Sequence, residues 1–139
     1  MNIAIIDDSV PIQIIASKVI AEYYEKKPNY DIGNLTISTY SSALAYLNES
    51  NLKENLLFLD MQMPKMDGVE MVEFLIINRY NKELPMPTIV FLSAQFKNDS
   101  INTLLDMYPR NIFYIMKPFR LDDLIPFLTP LDLTKIDLS

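Results

Sequence analysis

Four short apolar runs, each stopping at a side chain capable of polar chemistry, constrain this sequence more than any other feature. Residues 3–6 end at Asp7-Asp8, residues 56–59 at Asp60, residues 88–92 at Ser93 and residues 112–116 at Lys117. Apolar runs of this length, bounded by polar or turn residues, read as strands covered on both faces. Residues 35–40 differ, because they alternate apolar with polar. That alternation fits a strand with one wetter face, at the edge of a sheet.

Helix-period segments fill the gaps. Pro11 suits a first turn behind Asp8 or Ser9 as cap, and Ile12, Ile15, Val19 and Tyr23 then mark one face. Ser41 or Ser42 can cap a short second helix carrying Ala43, Leu44 and Leu47. Asp67-Gly68 reads as a turn and cap before a third helix marked by Val69, Val72, Leu75 and Ile76. Ile101, Leu104, Leu105 and Tyr108 mark a fourth, ended by Pro109; Leu121, Leu124 and Leu128 mark a fifth. Strand followed by helix, five times over, predicts an α/β fold with a parallel sheet between two helical layers. In such sheets ligands collect beyond the carboxyl ends of the strands.

At 139 residues the chain is about one domain long, expected over residues 1–130 with a short tail over 131–139. Its absences narrow the chemistry. Without Cys there is no disulfide, thiolate nucleophile or cysteine zinc site, and without His there is no imidazole ligand, serine–histidine pair or phosphohistidine. Two glycines, Gly33 and Gly68, are too few for a Gly-rich phosphate loop. Eighteen acidic residues against twelve basic ones leave a net charge of −6, which disfavours binding nucleic acid unaided. No apolar run approaches a membrane span, and the N-terminus lacks a basic signal-peptide region; the expected location is the cytoplasm.

What remains is oxygen chemistry with a lysine. If the strands are parallel neighbours, Asp7, Asp8, Asp60, Ser93 and Lys117 converge at one sheet edge. Three carboxylates in one cleft repel each other unless a hard divalent cation joins them, and all-oxygen ligation suits Mg²⁺ or Mn²⁺. Lys117 supplies a compact positive charge for an anionic group, and Ser93 supplies a hydroxyl. Nucleophile, charge neutralisation and positioning are the parts that phosphoryl transfer needs. Taken singly, each residue also has a plainer reading: Asp7-Asp8 as a cap, Asp60 in a loop, Lys117 on the surface, Ser93 as structure. Phe96, Tyr114 and Phe119 read as core or half-buried packing.

On four stretches the chain resembles the receiver domain of two-component response regulators. These are Asp7-Asp8-Ser9; Leu57 to Gly68 around the third strand, with Asp60-Met61-Gln62-Met63-Pro64 at its centre; Phe91-Leu92-Ser93-Ala94; and Lys117-Pro118-Phe119. The likeness runs from Ile3 to about Leu128. It implies a flavodoxin-like (βα)5 three-layer sandwich with strand order 2-1-3-4-5. It implies Asp60 as phospho-acceptor, Mg²⁺ held by Asp7 or Asp8 with Asp60 and the Gln62 carbonyl, and Lys117 and Ser93 on the phosphoryl oxygens. Ser93 and Tyr114 fall on the family's switch positions, and the Lys117-Pro118 bond on its cis peptide.

By the same resemblance, the phosphoryl group comes from a sensor histidine kinase or a phosphotransfer protein. A downstream effector reads the face made by helix four, strand five and helix five. The chain would catalyse only its own phosphorylation and dephosphorylation, and would not otherwise be an enzyme. Against that family's pattern, Ser93 stands where threonine is more usual, and Gln62 and Gln95 fall on positions that in the family tune phosphoryl lifetime. Pro126 and Pro130 predict a short or kinked fifth helix, since an interior proline costs about 3 kcal/mol. A pseudo-receiver used as a phosphorylation-independent binding module is the alternative. An aspartyl-phosphate hydrolase wants an acid where Gln62 stands, and a flavodoxin-like carrier would find Asp7-Asp8 repelling its cofactor's phosphate. The sequence fits both a stand-alone regulator and one domain of a longer protein.

Overall fold

A computed structural model of the chain describes residues 2–27 and 32–128. Five strands alternate with five helices: β1 (Asn2–Ile6), α1 (Val10–Glu25), β2 (Thr36–Tyr40), α2 (Ala43–Glu49), β3 (Leu56–Asp60), α3 (Gly68–Asn81), β4 (Thr88–Ser93), α4 (Asp99–Met107), β5 (Ile112–Met116) and α5 (Leu121–Leu128). The strands form one parallel sheet in the order β2-β1-β3-β4-β5. The alternating segment is indeed an edge strand, β2. The flavodoxin-like order and layering are those expected.

Successive side chains of a strand point to opposite faces, so each central strand feeds two cores. Ala4, Ile6, Leu57, Leu59, Ile89 and Phe91 face α2, α3 and α4. Ile3, Ile5, Leu56, Phe58, Val90 and Leu92 face α1 and α5. All twelve are at most 1% exposed. At about 1.5–3 kcal/mol for each fully buried large side chain, these two layers are the main force holding the strand ends together.

Local chemistry starts the helices where the strands leave off. Ser9 caps α1 by accepting from the Ile12 N–H, with Pro11 in the first turn. Ser42 caps α2. Asp67 and Glu70 form a reciprocal capping box on α3. Asn98 caps α4. Pro126 stands inside α5, where it has no N–H to give the Asp122 carbonyl. Pro130 and the expected boundary with a tail at 131–139 lie outside the described residues.

Three packing expectations need correction. The fully buried ridge of α1 is Gln13, Ala16, Ile20 and Tyr24; of the expected stripe, Val19 and Tyr23 pack partly buried against the same core, Ile12 is half-buried, and Ile15 faces out at 56% exposed. The two stripes sit side by side on the helix. The buried one places small Ala16 against the sheet and lets the Tyr24 hydroxyl donate to the Leu128 carbonyl at 3.0 Å. In α2, Leu44 is exposed and Tyr46 is buried, edge-on against Tyr40. Phe96 is not packed at all: it lies 83% exposed in the β4–α4 loop, beyond the strand end.

Candidate functional site

The parallel sheet delivers the carboxyl ends of β1, β3, β4 and β5 to one edge, and four of the expected residues meet there. Carboxylate oxygens of Asp7, Asp8 and Asp60 lie within 4.8 Å of one another. Lys117 Nζ is 3.0 Å from Asp7 Oδ2 and 3.5 Å from Asp60 Oδ1. Asp7 and Asp60 are buried, Asp8 is exposed, and Lys117 is half-buried. Ser93 ends β4, the neighbour of β3, and is also buried.

Each group is held by the backbone that brings it. Asp7 Oδ1 accepts from the Ser9 N–H at 2.9 Å. Its own N–H donates to the Tyr40 carbonyl at 3.0 Å. Its carbonyl accepts from Gln13 Nε2 at 2.6 Å. Asp60 Oδ1 accepts from the Gln62 N–H at 3.2 Å. Met61 N–H donates to the Leu92 carbonyl at 3.0 Å, and Gly68 N–H to the Met61 carbonyl at 2.9 Å. Gly68 permits a close approach. A Cβ there would lie 3.0 Å from the Asp60 carbonyl oxygen, Met61 Cα and the Phe91 ring. Lys117 N–H donates to the Ser93 carbonyl at 2.7 Å, and the Lys117–Pro118 bond that follows is cis.

Burial is the largest influence on Asp60. With the charges of Asp7 and Asp8, it pushes the carboxyl up to about 6, against the pull of the Gln62 N–H and Lys117. The cleft thus disfavours the ionised form of Asp60. Three carboxylates within reach of a common point, with no nitrogen or sulfur ligand among them, are the donor set of a hard divalent cation. Such a group fits the residues present.

The remaining expected residues lie around this centre. Gln62 contributes its N–H to Asp60, while its side chain is exposed, as is that of Gln95. Tyr114 stands on β5 opposite Phe91 and packs partly buried against the core on that face. Its hydroxyl donates to the Gln95 carbonyl, and the Gln95 N–H donates to Ser93 Oγ at 3.0 Å. Gln13 was missed by the sequence reading. Its signal was an amide on a helix stripe otherwise made of Ala16, Ile20 and Tyr24. Beside the site, Ile12, Ile15, Ala94, Lys117, Pro118 and Phe119 line an open, mainly apolar hollow of about 400 Å³. Val10 and Ile14 of α1 are exposed as well.

A protein-family model described as the response regulator receiver domain matches residues 3–129. Solved structures share the fold. A response regulator receiver domain protein (CheY-like) from Methanospirillum hungatei JF-1 is 21% identical with a TM-score of 0.67, over 94% of this chain and 92% of that one. The chemotaxis protein CheY4 of Vibrio cholerae is 17% identical with a TM-score of 0.69, over 93% and 96%. A receiver domain protein from Clostridium thermocellum is 21% identical with a TM-score of 0.64, over 96% and 95%. Among curated proteins none matches this sequence.

Proposed function

The chain belongs to the response regulator receiver domain family, and from that premise we propose that it is a working phospho-acceptor of a two-component system. In this reading a phosphoryl group passes from a partner's phosphohistidine to Asp60. The observation that carries it is the convergence of Asp7, Asp8, Asp60 and Lys117 at one sheet edge. The alternative, a binding module that ignores phosphate, has no use for a buried aspartate beside two further carboxylates and a lysine.

The residues divide the work. An Asp60 carboxylate oxygen attacks phosphorus, a P–O bond forms, the P–N bond breaks, and the imidazole leaves. Lys117, already between Asp7 and Asp60, holds a phosphoryl oxygen as negative charge accumulates. The Ser93 hydroxyl donates to another. Asp7, Asp8, Asp60 and the Gln62 carbonyl would hold Mg²⁺ (or Mn²⁺), which neutralises charge on the phosphoryl group and so favours the in-line transfer. In this reading one of the exposed side-chain amides, Gln62 or Gln95, orients the water that later removes the phosphate. A Gln62→Ala protein that loses phosphate at the parent's rate takes Gln62 out of that role.

The donor is a histidine kinase or phosphotransfer protein. The apolar hollow lined by Ile12, Ile15 and Phe119 next to Lys117 supports a docking surface for it, since it adjoins the acceptor and its walls are mainly apolar. The effector side is the face of α4, β5 and α5, reached from Asp60 through Ser93 and Tyr114. The response is a shift between two states, and it extends only as far as phosphorylation favours one of them.

The test is intact mass after incubation with Mg²⁺ and acetyl phosphate. One added phosphoryl group, absent without Mg²⁺ and absent from Asp60→Asn, is the expected result. Failure to label, together with failure to bind beryllofluoride and Mg²⁺, would overturn the reading in favour of a phosphorylation-independent module.

A further inference from the structure

Gln13 is a buried amide with a specific task. It sits 8% exposed on the inward ridge of α1. Its Nε2 donates to the Asp7 carbonyl at 2.6 Å and also lies 3.2 Å from Ser41 Oγ and 3.4 Å from the Tyr40 carbonyl. Two carbonyl acceptors fix which end of the amide is nitrogen. One N–H is committed to Asp7, and the other is shared between the two groups at the end of β2. An apolar side chain of equal length would fill this space without the cost of burying an amide.

What the amide holds is the peptide between the two acidic residues. Asp7 is anchored at every polar atom: its N–H by Tyr40, its carbonyl by Gln13, Oδ1 by Ser9 and Oδ2 by Lys117. Asp8 is different. Among the described residues no hydrogen bond or ion pair holds its carboxylate, which nevertheless reaches Asp7 and Asp60 within 4.8 Å. Its reach toward the cluster therefore depends on where the Asp7–Asp8 peptide is held, and Gln13 is the side chain that grips that peptide.

We infer that Gln13 is a positioning residue for the divalent-cation site, aiming the Asp8 carboxylate by clamping the Asp7 carbonyl to the end of β2. This rests on the receiver reading above. An amide that orients a metal-binding group from behind acts on affinity by pre-organisation, and such partners are typically worth about 10–100-fold in metal binding.

The experiment is titration of the whole chain with MgCl₂ by calorimetry, and with MnCl₂ by the free-ion paramagnetic signal, for the parent and Gln13→Met. The variant is expected to bind about tenfold more weakly, with its melting temperature in chelator lowered by only a few degrees. Acetyl-phosphate labelling should recover toward the parent's rate at saturating Mg²⁺, a separation that a general loosening of the fold would not give. Binding within twofold of the parent overturns the inference. If Gln13→Met does not fold, Ser41→Ala reads the same clamp from its other end: weaker Mg²⁺ binding is expected, and unchanged affinity overturns the inference. A parent that binds neither ion overturns the receiver reading instead.

Discussion

Lys117 Nζ donates to Asp7 Oδ2 across 3.0 Å, although the two residues lie 110 positions apart and their strands are not neighbours in the sheet. The lysine reaches over β3 and β4 and approaches Asp60 on the way, at 3.5 Å. It thus neutralises part of the cluster, and in the proposed function it also takes a phosphoryl oxygen. Removing it separates the two roles. In Lys117→Met, labelling by acetyl phosphate should fall by about 100-fold or more, the usual cost of deleting one group aimed at developing charge. Mg²⁺ should bind as tightly as in the parent or more so, because the competing ammonium is gone. Paired calorimetry and labelling kinetics check this. Parallel losses in both would make Lys117 a structural strut only.

The raised pKa of Asp60 has a definite consequence for stability. Between its ordinary value of 3.8 and about 6, the folded chain holds a proton that the unfolded chain has released. Stability in metal-free buffer must therefore fall as pH rises through that window. Each unit is worth about 1.4 kcal/mol, and solvent screening at the open mouth of the cleft reduces the total to about 1–2 kcal/mol. Asp60→Asn should melt several degrees above the parent at pH 7 without metal, and the gap should close near pH 4. Saturating Mg²⁺ should shrink the pH 7 gap by stabilising the ionised parent. Denaturation curves from pH 4 to 8, with and without Mg²⁺, give the answer; a gap that does not change with pH would show that Asp60 titrates normally.

Gly68 is required by space. A Cβ there meets the backbone of Asp60 and Met61 and the Phe91 ring, all at 3.0 Å. Backbone atoms of a central strand end cannot step aside as a flexible side chain can. Gly68→Ala should cost about 1–3 kcal/mol, as overpacking does, and should slow labelling because Asp60 moves with its strand end. Urea denaturation and labelling rate measure the two effects. An alanine variant as stable as the parent would mean that the β3–α3 loop has room to shift.

Much of this was legible because it depends on local pattern. The strand ends at Asp60, Ser93 and Lys117 follow from apolar runs stopping at polar residues, and parallel order carries them to one edge. The face of α1 was not legible. Apolar residues occupy two adjacent stripes, and only packing against the sheet decides that Ala16 and Ile20 turn inward while Ile15 faces out. Phe96 looked like core because it is aromatic, yet its backbone lies past the sheet edge, where no layer covers it. Gln13 was invisible for the converse reason. Its partners, Asp7, Tyr40 and Ser41, come together only when β1 and β2 pair.

Ser93 and Tyr114 are joined through one residue between them in the chain. Ser93 Oγ accepts from the Gln95 N–H at 3.0 Å, and the Gln95 carbonyl accepts from the Tyr114 hydroxyl. A phosphoryl group on Asp60 that draws the Ser93 hydroxyl toward itself must lengthen the bond to Gln95, and a displaced Gln95 shifts the acceptor on which Tyr114 rests. The Gln95 amide is the reporter of this link. In unphosphorylated Ser93→Ala its hydrogen exchange should quicken about fivefold, the equivalent of one hydrogen bond worth about 1 kcal/mol. Beryllofluoride and Mg²⁺ should quicken the same amide in the parent and leave it unchanged in the variant. Residue-resolved exchange by NMR makes the comparison. If beryllofluoride alters the surroundings of Tyr114 while the parent's Gln95 amide stays protected, the signal travels by another route.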